Sequence, residues 1–179
     1  MLFRSFVTTT KADTVTANST NSPATIDAQK YNLDKTGISD TSASFQKMID
    51  SYPKGSTINL PKGIYKISDI VNLKDGMSLI AGSDVVIEGT GKNTLFATGN
   101  DNTFKGIEFQ NCSIALRVLY VKGVNITNCR FTNSITYAAI DIYGSSDCTI
   151  TNSYFYNINK YGIKIDNNSS NITINKNKW

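Results

Sequence analysis

Residues 124–131 read VNITNCRF, residues 148–155 read CTITNSYF and residues 172–179 read ITINKNKW. The three stretches lie 24 residues apart and keep register: Val124 with Cys148 and Ile172, Ile126 with Ile150 and Ile174, Phe131 with Phe155 and Trp179. Within each stretch apolar residues alternate with Thr and Asn, the period-two pattern of a half-buried strand. A repeat of this length marks a supersecondary unit that buries its apolar face by stacking on copies of itself. Sandwiches and propellers are also built of strands, but their hairpins do not bring the same residue back to the same inward position. A parallel β-helix does, with coils ~4.8 Å apart and like residues over like.

The pattern extends upstream. Strand-like pieces separated by Gly, Asn, Asp and Ser run through STINLPKGIYKIS (56–68), MSLIAG (77–82), DVVIEG (84–89), TLFATG (94–99), KGIEFQNC (105–112), ALRVLYV (115–121), AAIDIYG (138–144) and GIKIDN (162–167). One segment breaks the style. After Asp40, which can cap a helix, Phe45, Met48, Ile49 and Tyr52 fall at helical spacing before Pro53, predicting a short amphipathic helix. Residues 8–33 are rich in Thr, Ser, Asn and Ala, so residues 1–30 are expected to form an N-terminal arm, either a flexible linker or a segment that docks on a partner. The solenoid is expected over 31–179. Because Trp179 takes the inward slot of Phe131 and Phe155, more coils are expected to follow the last one.

Composition narrows the chemistry. The 179 residues, 40% hydrophobic, suit one domain, and 18 Lys and Arg against 14 Asp and Glu give a charge of +4, compatible with polyanionic partners. There is no His, which excludes Ser-His-Asp and Cys-His catalysis and removes the commonest metal ligand. Cys112, Cys129 and Cys148 form no C-x-x-C pair and read as buried thiols. The start of the chain has no apolar run of secretory-signal type, and no window is long enough to span a membrane. Neither a membrane nor a nucleic acid is therefore expected as a partner.

KGIEFQNC (105–112) also matches KGVNITNC (122–129) in pattern, at a spacing of 17, which would align Asn111 with Asn128 and Asn152. Such a column is expected to be a structural ladder, each amide bonding the local backbone and the amide one coil away.

The run DKTGISDTSASFQKMIDSYPKGSTINLPKGIYKIS (34–68) resembles the opening of the pectate lyase-like superfamily, the rhamnogalacturonase and epimerase type of β-helix that includes phage tailspike and pre-neck appendage proteins. Asp34, Gly37, Asp40, Thr41, Gly55, Pro61, Gly63 and Tyr65 stand in the roles of that family's motif. The resemblance implies an all-β fold, a single-stranded right-handed parallel β-helix whose exposed first coil is capped by the short helix.

Stacked coils would place Arg117, Asp141 and Lys164 at equivalent outward positions, with Leu119, Tyr143 and Asp166 two residues on. Arg117, Tyr143 and Lys164 are the candidate substrate-binding residues, and the bland alternative is an opposite-charge ladder between neighbouring strands. Polygalacturonases, which this half resembles in rhythm, carry carboxylates where this chain has Tyr137, Ala138, Lys160 and Tyr161. Asp141 and Asp166 are thus the remaining candidate acids for glycoside hydrolysis. A lyase would need Arg117 or Lys164 as a base with a depressed pKa and usually an acidic Ca²⁺ site, yet no acidic cluster is visible and no cofactor or metal is expected. The functional expectation is a phage tailspike or appendage-like module, located on a virion tail or outside the cell, that binds an acidic surface polysaccharide, with a homotrimer as the assembly the tailspike resemblance implies. The alternatives are a polysaccharide lyase or glycoside hydrolase, with its catalytic residues partly beyond this chain, and a non-catalytic structural solenoid.

Overall fold

The structure is a computed structural model that describes residues 22–133 and 135–179. Its strands form three parallel sheets of seven, six and five strands, called A, B and C here, and the chain visits them cyclically, A to B to C and back to A, except that in the first coil a helix stands in place of the sheet C strand. Every pairing is parallel and joins one coil to the next.

Register confirms the repeat. Ile58, Leu79, Phe104, Ile126, Ile150 and Ile174 lie in line on sheet A. Tyr65, Ile87, Phe109, Phe131 and Phe155 do so on sheet B, and Val71, Phe96, Leu116, Ile140 and Ile163 on sheet C. These three inward columns fill the solenoid. Phe109, Phe131, Phe155 and Trp179 make a continuous stack with centroids 5.3, 4.9 and 4.6 Å apart. Burying each Phe contributes about 1.5–3 kcal/mol, and the ring contacts add to that. Trp179 stacks on Phe155 yet remains 69% exposed.

The helix expected after Asp40 spans Ser42–Asp50 and buries Phe45, Met48 and Ile49 against the first coils, with Phe45 edge-on to Phe96 at 5.7 Å. Thr41 is the N-cap residue, while the Asp40 carboxylate accepts from the Ser42 and Ser68 amides and the Ser42 hydroxyl, tying the helix start to the next coil. The other motif residues also do structural work. Asp34 accepts from the Thr36 amide and hydroxyl and from the Ser39 amide, Thr41 Oγ1 donates to the Lys66 carbonyl, and buried Tyr65 donates its hydroxyl to the Pro61 carbonyl. Gly63 passes so near its neighbour that a Cβ there would lie 2.6 Å from Lys35 Cβ.

Two expectations need correcting. Residues 25–30 do not belong to an arm: Thr25–Asp27 is the first strand of sheet A, paired with Thr57–Leu60, and Ala28–Tyr31 is a 3-10 turn with Ala28 buried. Ile26 alone supplies the large buried side chain that this strand needs. The rest of the expected arm, residues 1–21, lies outside the described residues.

The second correction concerns the asparagine column. Phe104 pairs with Ile126 and Phe109 with Phe131, so this coil is 22 residues long, and the 17-residue match joins positions on different sheets. Asn111 turns the chain from sheet B toward sheet C, its amide bonded to the Asn133 carbonyl, whereas Asn128 and Asn152 turn it from A to B. All three are exposed, and the Asn111 side chain donates to the Gly89 carbonyl instead of to another amide. Their common property is backbone conformation, φ 52° in each. Asn tolerates that left-handed region and so recurs at one-residue corners.

The three thiols are buried. Burial pushes Cys112 and Cys129 up to about 12, so neither serves as a nucleophile near neutrality.

Candidate functional site

Sheet C carries the candidate strip on its outer face. Strands Ile114–Leu119, Ala138–Tyr143 and Tyr161–Asp166 pair so that Arg117, Asp141 and Lys164 form one row and Leu119, Tyr143 and Asp166 the next. Inward Leu116, Val118, Ile140 and Ile142 hold these strands against the core, so the outward residues between them are fixed by the pleat.

Lys164 is the electrostatic hub. Its Nζ lies 3.5 Å from Asp141 Oδ1 and 3.1 Å from Asp166 Oδ2, and the side chains of Lys164 and Asp141 are only 21% and 17% exposed. The hydrogen bond to Asp166 first, and then the nearby negative charges, raise the Lys164 pKa above its ordinary value. Asp166 moves the other way, held down by the Asn167 amide and by Lys164. A lysine base needs the opposite shift, and so does a carboxylic general acid. Asp141 Oδ1 is buried and accepts no hydrogen bond among the described residues. Arg117 stands in register beside Asp141 and makes no salt bridge among them.

Aromatic pairs bracket this charged floor. At the C-terminal ends of the strands, Tyr143 meets Tyr120 edge to face at 5.5 Å. At the N-terminal ends, Tyr137 meets Tyr161 at 5.7 Å, with Lys160 Nζ 5.2 and 5.0 Å from the two ring centroids. Position 137 to position 143 spans roughly 20 Å of extended chain. Of the residues noted as replacing polygalacturonase carboxylates, Tyr137, Lys160 and Tyr161 thus form one wall of the strip, while Ala138 is buried.

Tyr120 escaped the sequence reading. It has φ 53°, a left-handed conformation rare for a bulky side chain, and is 66% exposed. Gly144, in line with it one coil on, has no side chain, and a Cβ there would strike the Tyr120 ring at 2.5 Å. The pattern Leu-Tyr-Val in 119–121 gave no sign of a turn; only the Gly at the equivalent place in the next coil did. An exposed aromatic in a strained conformation is a common feature of binding surfaces.

No helix among the described residues is long and apolar enough to cross a membrane. Residues 64–179 match the family described as right handed beta helix region. A search of curated proteins found no match. Among solved structures, the chain is similar to the iota-carrageenase of family GH82 from A. fortis, with TM-score 0.70 and 21% identity over 98% of this chain and 46% of that one. It is similar to the surface adhesin PfbA of Streptococcus pneumoniae, with TM-score 0.65 and 21% identity over 75% of this chain and 38% of that one. Gene product 12 of bacteriophage phi29 aligns with TM-score 0.64 and 15% identity over 85% of this chain and 29% of that one. The chain spans less than half the length of each of these three proteins. With three parallel sheets, in-register coils and a family match covering most of its length, this chain belongs to the right-handed β-helix family.

Proposed function

We propose that this β-helix binds polysaccharide along the sheet C strip, as a module of a phage tailspike or appendage-like protein acting on a bacterial surface. The observation that carries the reading is the strip itself: two aromatic pairs enclosing a row of Arg117, Asp141 and Lys164, with the Arg117 guanidinium unpaired and Asp141 Oδ1 unsatisfied among the described residues. Sugar rings pack on Tyr120 and Tyr143, and their hydroxyl and acidic groups bond to the row between. The cation excess at Arg117, Lys160 and Lys164 favours an acidic polymer. Similarity to a phage gene product, a surface adhesin and a carrageenase supports a role at a virion or cell surface. Presentation by a homotrimer would strengthen weak binding at each site.

Binding is favoured over hydrolysis because Lys164 sits against both Asp141 and Asp166 and the Asp166 carboxyl is held down, the opposite of what a general acid needs. The test is affinity for a panel of cell-wall, capsular and uronate polysaccharides, with reducing and unsaturated ends measured in parallel. Tyr143→Ala and Arg117→Ala are each expected to weaken binding about fivefold to tenfold. A wild-type chain that binds while both variants bind equally well would make the strip mere scaffold. Products accumulating from this chain alone would refute binding without hydrolysis and make Asp141 and Asp166 the first residues to replace.

A further inference from the structure

We infer that the corner between sheets A and B carries a second, separate groove for an anionic polysaccharide, on a face remote in register from the strip and independent of its role. A groove of about 490 Å³ crosses three consecutive coils there, lined by Asn128, Arg130, Asn152, Tyr154, Lys176 and Lys178. No carboxylate lines it. One column, Asn128, Asn152 and Lys176, consists of the left-handed corner residues, with φ 52°, 52° and 56°. The other, Arg130, Tyr154 and Lys178, runs along sheet B, Arg130 pairing with Tyr154 and Tyr154 bridging to Lys178.

Each feature suits a polymer with regularly spaced negative groups. Arg130 and Lys178 are two rungs apart, roughly 10 Å, a distance comparable to that between like groups on alternate residues of an extended polysaccharide. Among the described residues Lys176 and Lys178 have no acidic partner, and Glu108 engages Arg130 only through Nε, at 3.2 Å. The side-chain amides of Asn128 and Asn152 make no hydrogen bond among the described residues, so donors and acceptors for sugar hydroxyls stand unused beside the cations. Tyr154 is already engaged by Arg130, 5.1 Å from its ring, and by Tyr156, stacked at 6.1 Å. Its free hydroxyl suits hydrogen bonding to a sugar better than its ring suits stacking on a nucleobase. Lys176 has a further mark: it occupies a corner that Asn fills one and two coils earlier, so a cation stands where the backbone would favour Asn.

The test measures binding of the 179-residue chain to dextran sulfate, polygalacturonate, neutral dextran and poly-uridylate across a salt series. Lys176→Asn/Lys178→Gln removes both charges without straining the corner, and circular dichroism checks that the fold is kept. The double variant is expected to bind dextran sulfate about tenfold more weakly and to release roughly two fewer ions on binding. Lys54→Gln/Lys62→Gln lowers the net charge equally, at lysines paired with Asp75 and Asp84, and is expected to change affinity less than about twofold. Introduced into an Arg117→Ala/Tyr143→Ala background, the groove substitutions are expected to cost the same factor of about ten for dextran sulfate, and loss of that effect there would overturn the independence of the groove from the strip. The inference is overturned if the wild type binds neither acidic glycan, if neutral dextran binds as well, or if the groove variant keeps full affinity. It is also overturned if the control pair loses as much, which would reduce the effect to net charge. Tighter, Lys176/Lys178-dependent binding of poly-uridylate would make the site one for nucleic acid instead.

Discussion

Replacing Lys164 with Met keeps most of the apolar stem and deletes the ammonium on which the sheet C strip depends. Two carboxylates lose their partner, with unequal consequences. Asp166 is 59% exposed, so water takes over and little is lost. Asp141 is 17% exposed, and its Oδ1 already lacks a hydrogen bond, so the ammonium at 3.5 Å is its main compensation. Breaking a fully buried pair costs about 3–5 kcal/mol, and the residual exposure here reduces that to about 2 kcal/mol. Lys164→Met is therefore expected to destabilise the chain by about 2 kcal/mol, the cost of stranding Asp141. Adding Asp141→Val removes the stranded charge and places a β-branched residue on a strand, so the double variant should recover to within about 1 kcal/mol of wild type. The assay is urea unfolding followed by circular dichroism, in which the midpoint should move while the slope stays constant. The coupling energy from the four-protein cycle is expected to exceed about 1 kcal/mol. A single-variant loss below about 0.5 kcal/mol, or additive effects in the double variant, would refute the assignment of Lys164 as the hub.

Two further outcomes follow from the corners and the opening turn. Asn128→Gly should be nearly neutral, because Gly accepts φ 52° freely, whereas Asn128→Val should cost about 1–2 kcal/mol by thermal melting; equal effects would mean that the Asn128 side chain itself is what stabilises the corner. Asp34 is held down at about 2 from 3.8, first by the Thr36 hydroxyl and then by the Ser39 amide. A depressed carboxylate contributes stability that is fully present above its unfolded pKa and lost as pH falls through its folded one, so the window runs from about pH 4 down to about pH 2. Across that window stability should fall less steeply in Asp34→Ala than in wild type, measured by acid titration of the unfolding midpoint; identical slopes would deny the turn its role.

By itself, the sequence determined the fold class, because a solenoid repeats its physics locally. Residues 24 apart meet across a single pair of strands, so the columns of Ile126 with Ile150 and Phe131 with Phe155 could be read straight from spacing. Spacings of 24 and then 23 residues between like segments located the rows of Arg117, Asp141 and Lys164 and of Leu119, Tyr143 and Asp166. Spacing misled where coil length changed: a chance 17-residue match placed Asn111 in a column that belongs to Asn128 and Asn152, since similar corner chemistry recurs at more than one corner of each coil. Residues 25–30 looked like an arm because one buried Ile gives no periodicity to detect, and only pairing with Thr57–Leu60 makes Thr25–Asp27 a strand. Tertiary structure alone decided the rest. Whether Lys164 bonds Asp166 and Asp141 while Arg117 stays unpaired depends on side-chain reach across rungs, and Tyr120 became visible as a wall of the strip only through its backbone angle and the space above Gly144. The groove along Asn128, Arg130, Tyr154, Lys176 and Lys178 is likewise a product of stacking, because Arg130 lies two coils before Lys176 and Lys178 and joins them only across the rungs.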